Sequence, residues 1–322
     1  MLPRRATLAL PALAALPAMA QGAWPERPVR IIVPYPPGGS TDVLTRIIGE
    51  ALKGPFPGAT FVIENRSGAG GNIGADAAAK AAPDGYTFVS APVGIFAINQ
   101  YLYSRMSYDA EKDLLPVALT YELPNVAVIP ASLPARTLAE FVAWAKARPD
   151  GITYGSPGVG TTPHLSGELF RVRTGITATH VPFRGAAQTI PAMLSGDVHF
   201  AIDNLASYVS AIQAGQLRAL AITSAGRWPT MQEVPTMAEA GMEDFVVTSW
   251  TIMAAPAGTP RPIIDRFSAA LQALARDPAH QRRFLTAGAR ALGSTPEEAA
   301  AFAAKERARW REVVRISGAR AD

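Results

Sequence analysis

Apolar and polar positions along the chain follow two periods that keep replacing one another. Near-continuous apolar runs at Val29–Tyr35, Thr60–Asn65 and Tyr86–Pro92 read as buried strands. Between them, Thr41–Leu52 sets Val43, Leu44, Ile47, Ile48, Ala51 and Leu52 on one helical stripe, and Gly71–Ala82 continues as an alanine-rich helix. Strand, helix, strand, helix, strand predicts a parallel sheet with right-handed crossovers.

The pattern then restarts. Asn125–Pro130 leads into a helix over Thr137–Pro149, opened by the capping box Thr137-x-x-Glu140. Strand-like Ile152–Gly158, Ala178–Phe183, Val198–Asp203 and Leu217–Thr223 alternate with helical His164–Val172, Thr189–Gly196 and Asn204–Gly215. The final part is mostly helical, with Thr295, Pro296 and Glu298 supplying another capped start. Two further apolar stretches, Pro116–Pro124 and Asp244–Pro260, read as extended crossings rather than Gly/Ser linkers. They predict two α/β lobes joined by a two-strand hinge, with the last helices returning to the first lobe.

Composition adds an address. Arg4 and Arg5 precede an apolar stretch, Ala6–Ala20, that ends in Ala18-Met19-Ala20. A positive region, an apolar region and an A-x-A site make a secretory signal over residues 1–20, cleaved near Ala20/Gln21. The stretch is too short for a membrane span and contains Pro11 and Pro17. With no cysteine among 322 residues there is no disulfide framework and no thiol nucleophile. An exported, unanchored chain of this kind fits a bacterial periplasm. The net charge of +4 falls to +2 once Arg4 and Arg5 are removed, and the rest of the basic residues are dispersed. Nucleic-acid binding is not expected.

In an open parallel sheet, ligands bind beyond the carboxyl ends of the strands, where helices begin. Five strand-to-helix turns qualify: Tyr35–Asp42, Asn65–Gly74, Ser156–Leu165, Pro182–Gln188 and Ile202–Ser207. Four carry glycine and four carry Ser or Thr. Glycine lets backbone approach a ligand, and helix N-termini add unpaired N–H donors and a positive dipole end. Together they make an anion site that needs few formal charges. Ser40, Thr41, Thr137 and Thr162 also suit plain N-caps, but convergence of five such turns, with double glycines at Gly38-Gly39 and Gly70-Gly71, favours a site. Asp42 fits a first-turn cap as well as it fits ligand contact. Arg184, a cation inside the fourth of these turns, suits either a ligand carboxylate or a surface acid. His164 beside the third turn suits a local structural role or a ligand hydrogen bond.

Catalytic and cofactor motifs are missing. Gly68, Gly70 and Gly74 give G-x-G-x-x-x-G, one residue too long for a dinucleotide fingerprint. No Walker lysine follows a glycine loop, and no G-x-S-x-G elbow surrounds a serine. His164, His180, His199 and His280 are scattered without an H-x-x-x-H pair, so no metal and no cofactor is expected.

Several blocks, in order, resemble the substrate-binding proteins of tripartite tricarboxylate transporters, the Bug family: WPERPVRIIVPYPPGGSTD, ENRSGAGGNIGADAAAKAAPDGYT, YGSPGVGTTPHLSGELF, HVPFRGAAQTIPAMLSGDV and DNLASYVSAIQAGQLRALAITS. The resemblance spans the mature chain. It implies a two-lobed periplasmic-binding-protein fold, type II-like, in which the turns holding Gly38–Ser40 and Gly71–Asn72 grip one carboxylate, partly through ordered water. Ser156, Thr161, Thr162 and His164 would face it from the second lobe, with Arg184 and Asp203 nearby. Tyr35, Pro36 and Asp42 complete the expected ligand-binding set. Pro157 and Val159 stand where the family often has small or polar residues.

The resulting expectation is an α/β solute-binding protein whose lobes are mainly parallel sheets flanked by helices. Lobe 1 is residues 24–121 plus 248–322, and lobe 2 is residues 122–247. It captures a small carboxylate (a di- or tricarboxylate, an aromatic acid or a related amide) for inner-membrane transporter subunits, without being membrane-embedded or catalytic. The alternatives are a ligand sensor for a membrane kinase and an exported hydrolase.

Overall fold

A computed structural model describes residues 24–321; the export signal expected over residues 1–20 lies outside the described residues. The first unit runs β1 (Val29–Val33), α1 (Ser40–Ala51), β2 (Phe61–Asn65), α2 (Asn72–Ala79) and β3 (Thr87–Pro92). β2, β1 and β3 are parallel neighbours, as their helical crossovers require. The stripe expected on α1 is the one it buries: Leu44, Ile47, Ile48 and the adjoining Leu52 pack with Phe56, Phe88 and Phe267. A π-helical turn, Gly94–Ile98, then passes into α3 (Asn99–Leu102) and α4 (Ala110–Asp113).

β4 (Leu114–Pro130) is one 17-residue strand that joins both halves. The second unit follows as α5 (Leu138–Lys146), β5 (Ile152–Ser156), α6 (Thr162–Thr174), β6 (Ala178–Pro182), α7 (Ala186–Ser195), β7 (Ala201–Asn204), α8 (Leu205–Gln213) and β8 (Leu217–Ile222). The chain returns through β9 (Thr248–Pro256), α9 (Arg261–Arg276), α10 (Pro278–Thr286), β10 (Arg290–Ala291) and α11 (Pro296–Ser317).

Over Leu114–Pro124, β4 pairs antiparallel with β9, which in turn pairs antiparallel with β3. From Asn125 onward it changes partners to β7 and β8. Each lobe therefore has a parallel part, β2-β1-β3 or β6-β5 with a parallel bridge from Tyr154 to Phe200, and the crossing strands add the antiparallel part. Two α/β lobes joined through β4 and β9 are the outcome.

Two local expectations need revision. Thr137 accepts the Glu140 N–H, but the Glu140 carboxylate reaches back to the Arg136 N–H instead of to Thr137, so that box is half-formed. At Thr295 and Glu298 both reciprocal bonds are made. The last helix also does more than return to the first lobe. α11 lies along β4 and the π-helical turn and touches α6, so it straddles both lobes.

Candidate functional site

Four helices begin around one cavity between the lobes. The N-cap residues of α1, α6, α7 and α8 are Gly39, Thr161, Gly185 and Asn204, and every one of them lines it. Thr161 caps α6 by accepting the His164 N–H, whereas α1, α7 and α8 start without a side-chain cap. Their first-turn N–H groups lack intrahelical acceptors by geometry. Each helix end contributes a favourable interaction of about 0.3–1 kcal/mol with an anion, up to ~2 kcal/mol where solvent is excluded. The cavity measures about 40 Å³, against the roughly 10–15 Å³ that admits one water. It has room for a few small groups.

The lobes touch across it. Ser207 on α8 accepts the Ser40 N–H at 2.8 Å, and the two hydroxyls lie 2.6 Å apart. Thr162 and Ser249 hydroxyls are hydrogen-bonded, and Ser249 donates to the Asn204 side-chain oxygen at 2.7 Å. The Tyr121 hydroxyl is buried on the wall, makes no well-aligned hydrogen bond, and is ringed by Thr41, Thr45, Ser90 and Thr251. Burial pushes the Tyr121 and Tyr35 phenols upward, so both stay protonated as donors.

Of the residues singled out in the sequence, Tyr35, Gly39, Ser40, Thr161, Thr162 and Asp203 come together on this wall. The other expected ligand contacts are not among its lining residues. Asp42 is 3% exposed and its carboxylate accepts from the Gly38 N–H, the Asn65 amide and Arg46. It holds the first turn in shape rather than facing a ligand, and these contacts keep its carboxyl below the usual range against the cost of burial. Pro36 instead packs against Gly185, where a Cβ would come within 3.1 Å of its ring.

The turn expected to grip with Gly71 and Asn72 is closed over. Gly70 offers its carbonyl to the Tyr35 hydroxyl and the Asn99 amide, and the Asn72 side chain is held by Asn99 and Tyr108. Gly71 has φ +95°, so a side chain there strains the turn whatever it does to a ligand.

Ser156 and His164 belong to a buried polar cluster. Ser156 Oγ sits 2.7 Å from His180 Nε2 and accepts the Gly158 N–H. His164 stacks against His180 with ring centroids 4.4 Å apart. Burial, with His164 beside it, pushes His180 down to about 4, and burial lowers His164 as well. A serine beside an imidazole is half of a nucleophilic pair, yet Ser156 has no exposure and does not reach the cavity. Arg184 is exposed and off the wall; its backbone N–H goes to Gln188, while its neighbour Gly185 is the lining residue.

The wall also contains Asn204 and Ser207 of the fifth turn, together with Tyr121 and Ser249–Thr251 of the crossing strands, which turn-by-turn reading missed. The available signal was their position, since hydroxyls and aromatics inside apolar crossing strands flank any cleft that those strands join. Among the described residues no group of three or more His, Cys, Asp or Glu side chains is placed to hold a metal, and no helix is long and apolar enough to cross a membrane.

Residues 45–318 match the family described as Tripartite tricarboxylate transporter family receptor. The chain belongs to that family. Among solved structures, the R. palustris protein Rpa4515 with adipate is 38% identical, with 92% of this chain and 98% of that one covered and a TM-score of 0.89. The periplasmic binding protein BugD is 32% identical, covering 92% and 99%, with a TM-score of 0.87. MatC from Rhodopseudomonas palustris with bound malate is 32% identical, covering 90% and 100%, with a TM-score of 0.82. This receptor therefore has the two-lobed periplasmic binding-protein fold, and the cavity lies between its lobes.

Proposed function

We propose that this receptor acts in the periplasm, after removal of residues 1–20, and closes on a small carboxylate for the membrane subunits of a tripartite tricarboxylate transporter. Lobe 1 is residues 24–121 with 248–322, and lobe 2 is residues 122–247. The convergence of four helix N-termini on a cavity without a basic side chain carries this reading. Backbone N–H groups and hydroxyls hold an anion without the desolvation cost of buried cations, which suits reversible capture. Gly39, Ser40, Thr161, Thr162 and Tyr35 make the contacts, aided by Tyr121 and Ser207; Asp42, Asn72, Ser156 and His164 support the walls. The protein performs no chemistry, and adipate and malate in its relatives indicate the ligand class.

The test is thermal shift and calorimetry with adipate, malate and a panel of other carboxylates. A ligand at a hundred times its Kd adds roughly 2.7 kcal/mol of stability. A Cβ at Gly39 would meet only the Pro36 carbonyl, at 3.8 Å, and Gly39 has φ −80°, so Gly39→Val should fold yet lose binding. A panel without a single stabilising carboxylate, or a Gly39→Val variant that binds normally, overturns the reading.

A further inference from the structure

Asp203 is the single carboxylate on the cavity wall, which has no lysine, arginine or histidine to balance it. Asp203 is 1% exposed. One of its oxygens accepts the Asn204 N–H at 2.6 Å and the other accepts the Tyr208 hydroxyl at 3.0 Å. Among the described residues no cation lies within ion-pair distance of it.

The elements packed around β7 bring it no compensating charge. From α8 and the turn after β1 come the phenols of Tyr208 and Tyr35. On α6, His164 stacks on His180, while Glu168 is engaged with Arg171 and with Tyr154 of β5. On β4, Glu122 is paired with Arg290 and Tyr121 is a neutral phenol. Asp203 also immediately precedes the N-cap of α8. Its carboxylate thus occupies the positive field that an incoming anion would use.

We propose that Asp203 is a resident counter-anion that yields to the ligand, so that a carboxylate enters the cavity together with one proton, and the proton goes to Asp203. This rests on the carboxylate reading above. Two carboxylates enclosed without a cation cannot both stay ionised. The proton comes from solvent, no covalent bond in the protein changes, and the ligand carboxylate beside Asp203 replaces the one negative charge that Asp203 gives up. Protonated Asp203 keeps one oxygen on the Asn204 N–H and turns its O–H to the Tyr208 oxygen or to the ligand. Burial already pushes the free protein's Asp203 up to about 7. A neighbouring bound anion raises it further.

The sign follows from linkage. Well below pH 7 Asp203 is protonated in both free and bound protein, so affinity does not depend on pH. Above it the free protein must take up a proton to bind, and affinity falls by up to tenfold per pH unit until the bound form also ionises. The experiment is titration calorimetry with adipate and malate from about pH 6.5 to 9, where both ligands remain ionised, in buffer pairs of different ionisation enthalpy. Near pH 8 the protein should absorb close to one proton per ligand. Asp203→Asn keeps the shape, an acceptor for Asn204 and a polar partner for Tyr208; it should bind with no proton uptake and at least tenfold tighter than wild type at high pH. Binding without proton uptake, or uptake that persists in Asp203→Asn, overturns the proposal and leaves the receptor reading intact. If neither these two ligands nor any carboxylate of the panel binds at any pH, the receptor reading itself fails and the proposal with it.

Discussion

Glu306 links the cavity between the lobes to the outside of the molecule, and truncating it should be felt at both ends. It lies on α11, 7% exposed, and one carboxylate oxygen accepts two indole N–H groups, from Trp250 at 2.9 Å and Trp310 at 3.0 Å. Its other oxygen is 3.5 Å from Arg309. Both indoles are buried, and Trp250 lines the cavity. Glu306→Ala strands two buried donors at about 1–3 kcal/mol each. Relief of the carboxylate's own desolvation offsets part of this, leaving a net loss of about 2–4 kcal/mol. For a chain of this size that is a melting-point drop of roughly 4–8 °C. Glu306→Gln keeps one acceptor oxygen and should lose only about half as much. Thermal denaturation measures the loss, and the indole N–H resonances identify its source. Of the five tryptophans, only Trp250 and Trp310 should shift. Ligand affinity should fall as well, because the freed Trp250 ring no longer holds the wall. An alanine variant that melts like wild type, or a shift confined to one indole, refutes the shared-acceptor account.

Three further outcomes are expected. Gly74→Ala places a Cβ 2.8 Å from the Pro34 Cα and the Arg66 carbonyl, so overpacking should cost about 1–3 kcal/mol in thermal unfolding; an unchanged melting point contradicts the packing. Arg184→Ala should alter ligand affinity by less than about 0.5 kcal/mol, because the side chain is exposed and off the wall; a tenfold loss in calorimetry would put it back in contact with the ligand. His180 is pushed down to about 4 from an ordinary 6.5, so acidification from 6.5 to 4 protonates the unfolded chain first and should remove about 3 kcal/mol of stability. His180→Gln should flatten that part of a stability-versus-pH curve, and a variant with the wild-type slope assigns the acid sensitivity elsewhere.

Most of the fold was legible because strands buried on both faces leave continuous apolar runs, while helices such as α1 leave a stripe. The helix starts at Gly39, Thr161, Gly185 and Asn204 were legible too, since turn residues and hydroxyls mark where a chain must expose N–H groups. The half of the wall built by Tyr121 and Ser249–Thr251 was not. Inside a fully buried strand a hydroxyl facing a cavity and one facing a neighbouring strand occupy the same pattern.

Glycine was the most ambiguous signal, because close approach to a ligand and close approach to the protein itself both call for a missing side chain. At Gly39 the nearest atom to a Cβ would be 3.8 Å away, and the space beyond belongs to the cavity. At Gly70 a Cβ would sit 2.5 Å from the Val159 carbonyl and 2.7 Å from the Tyr103 hydroxyl. The first glycine leaves room in the cavity; the second admits the opposite lobe. Both precede a helix in the same kind of turn, and only the partner across the cleft separates them. Gly70 therefore serves the contact between the lobes: it lets the first lobe meet the turn that leads into Thr161, one of the residues on the wall.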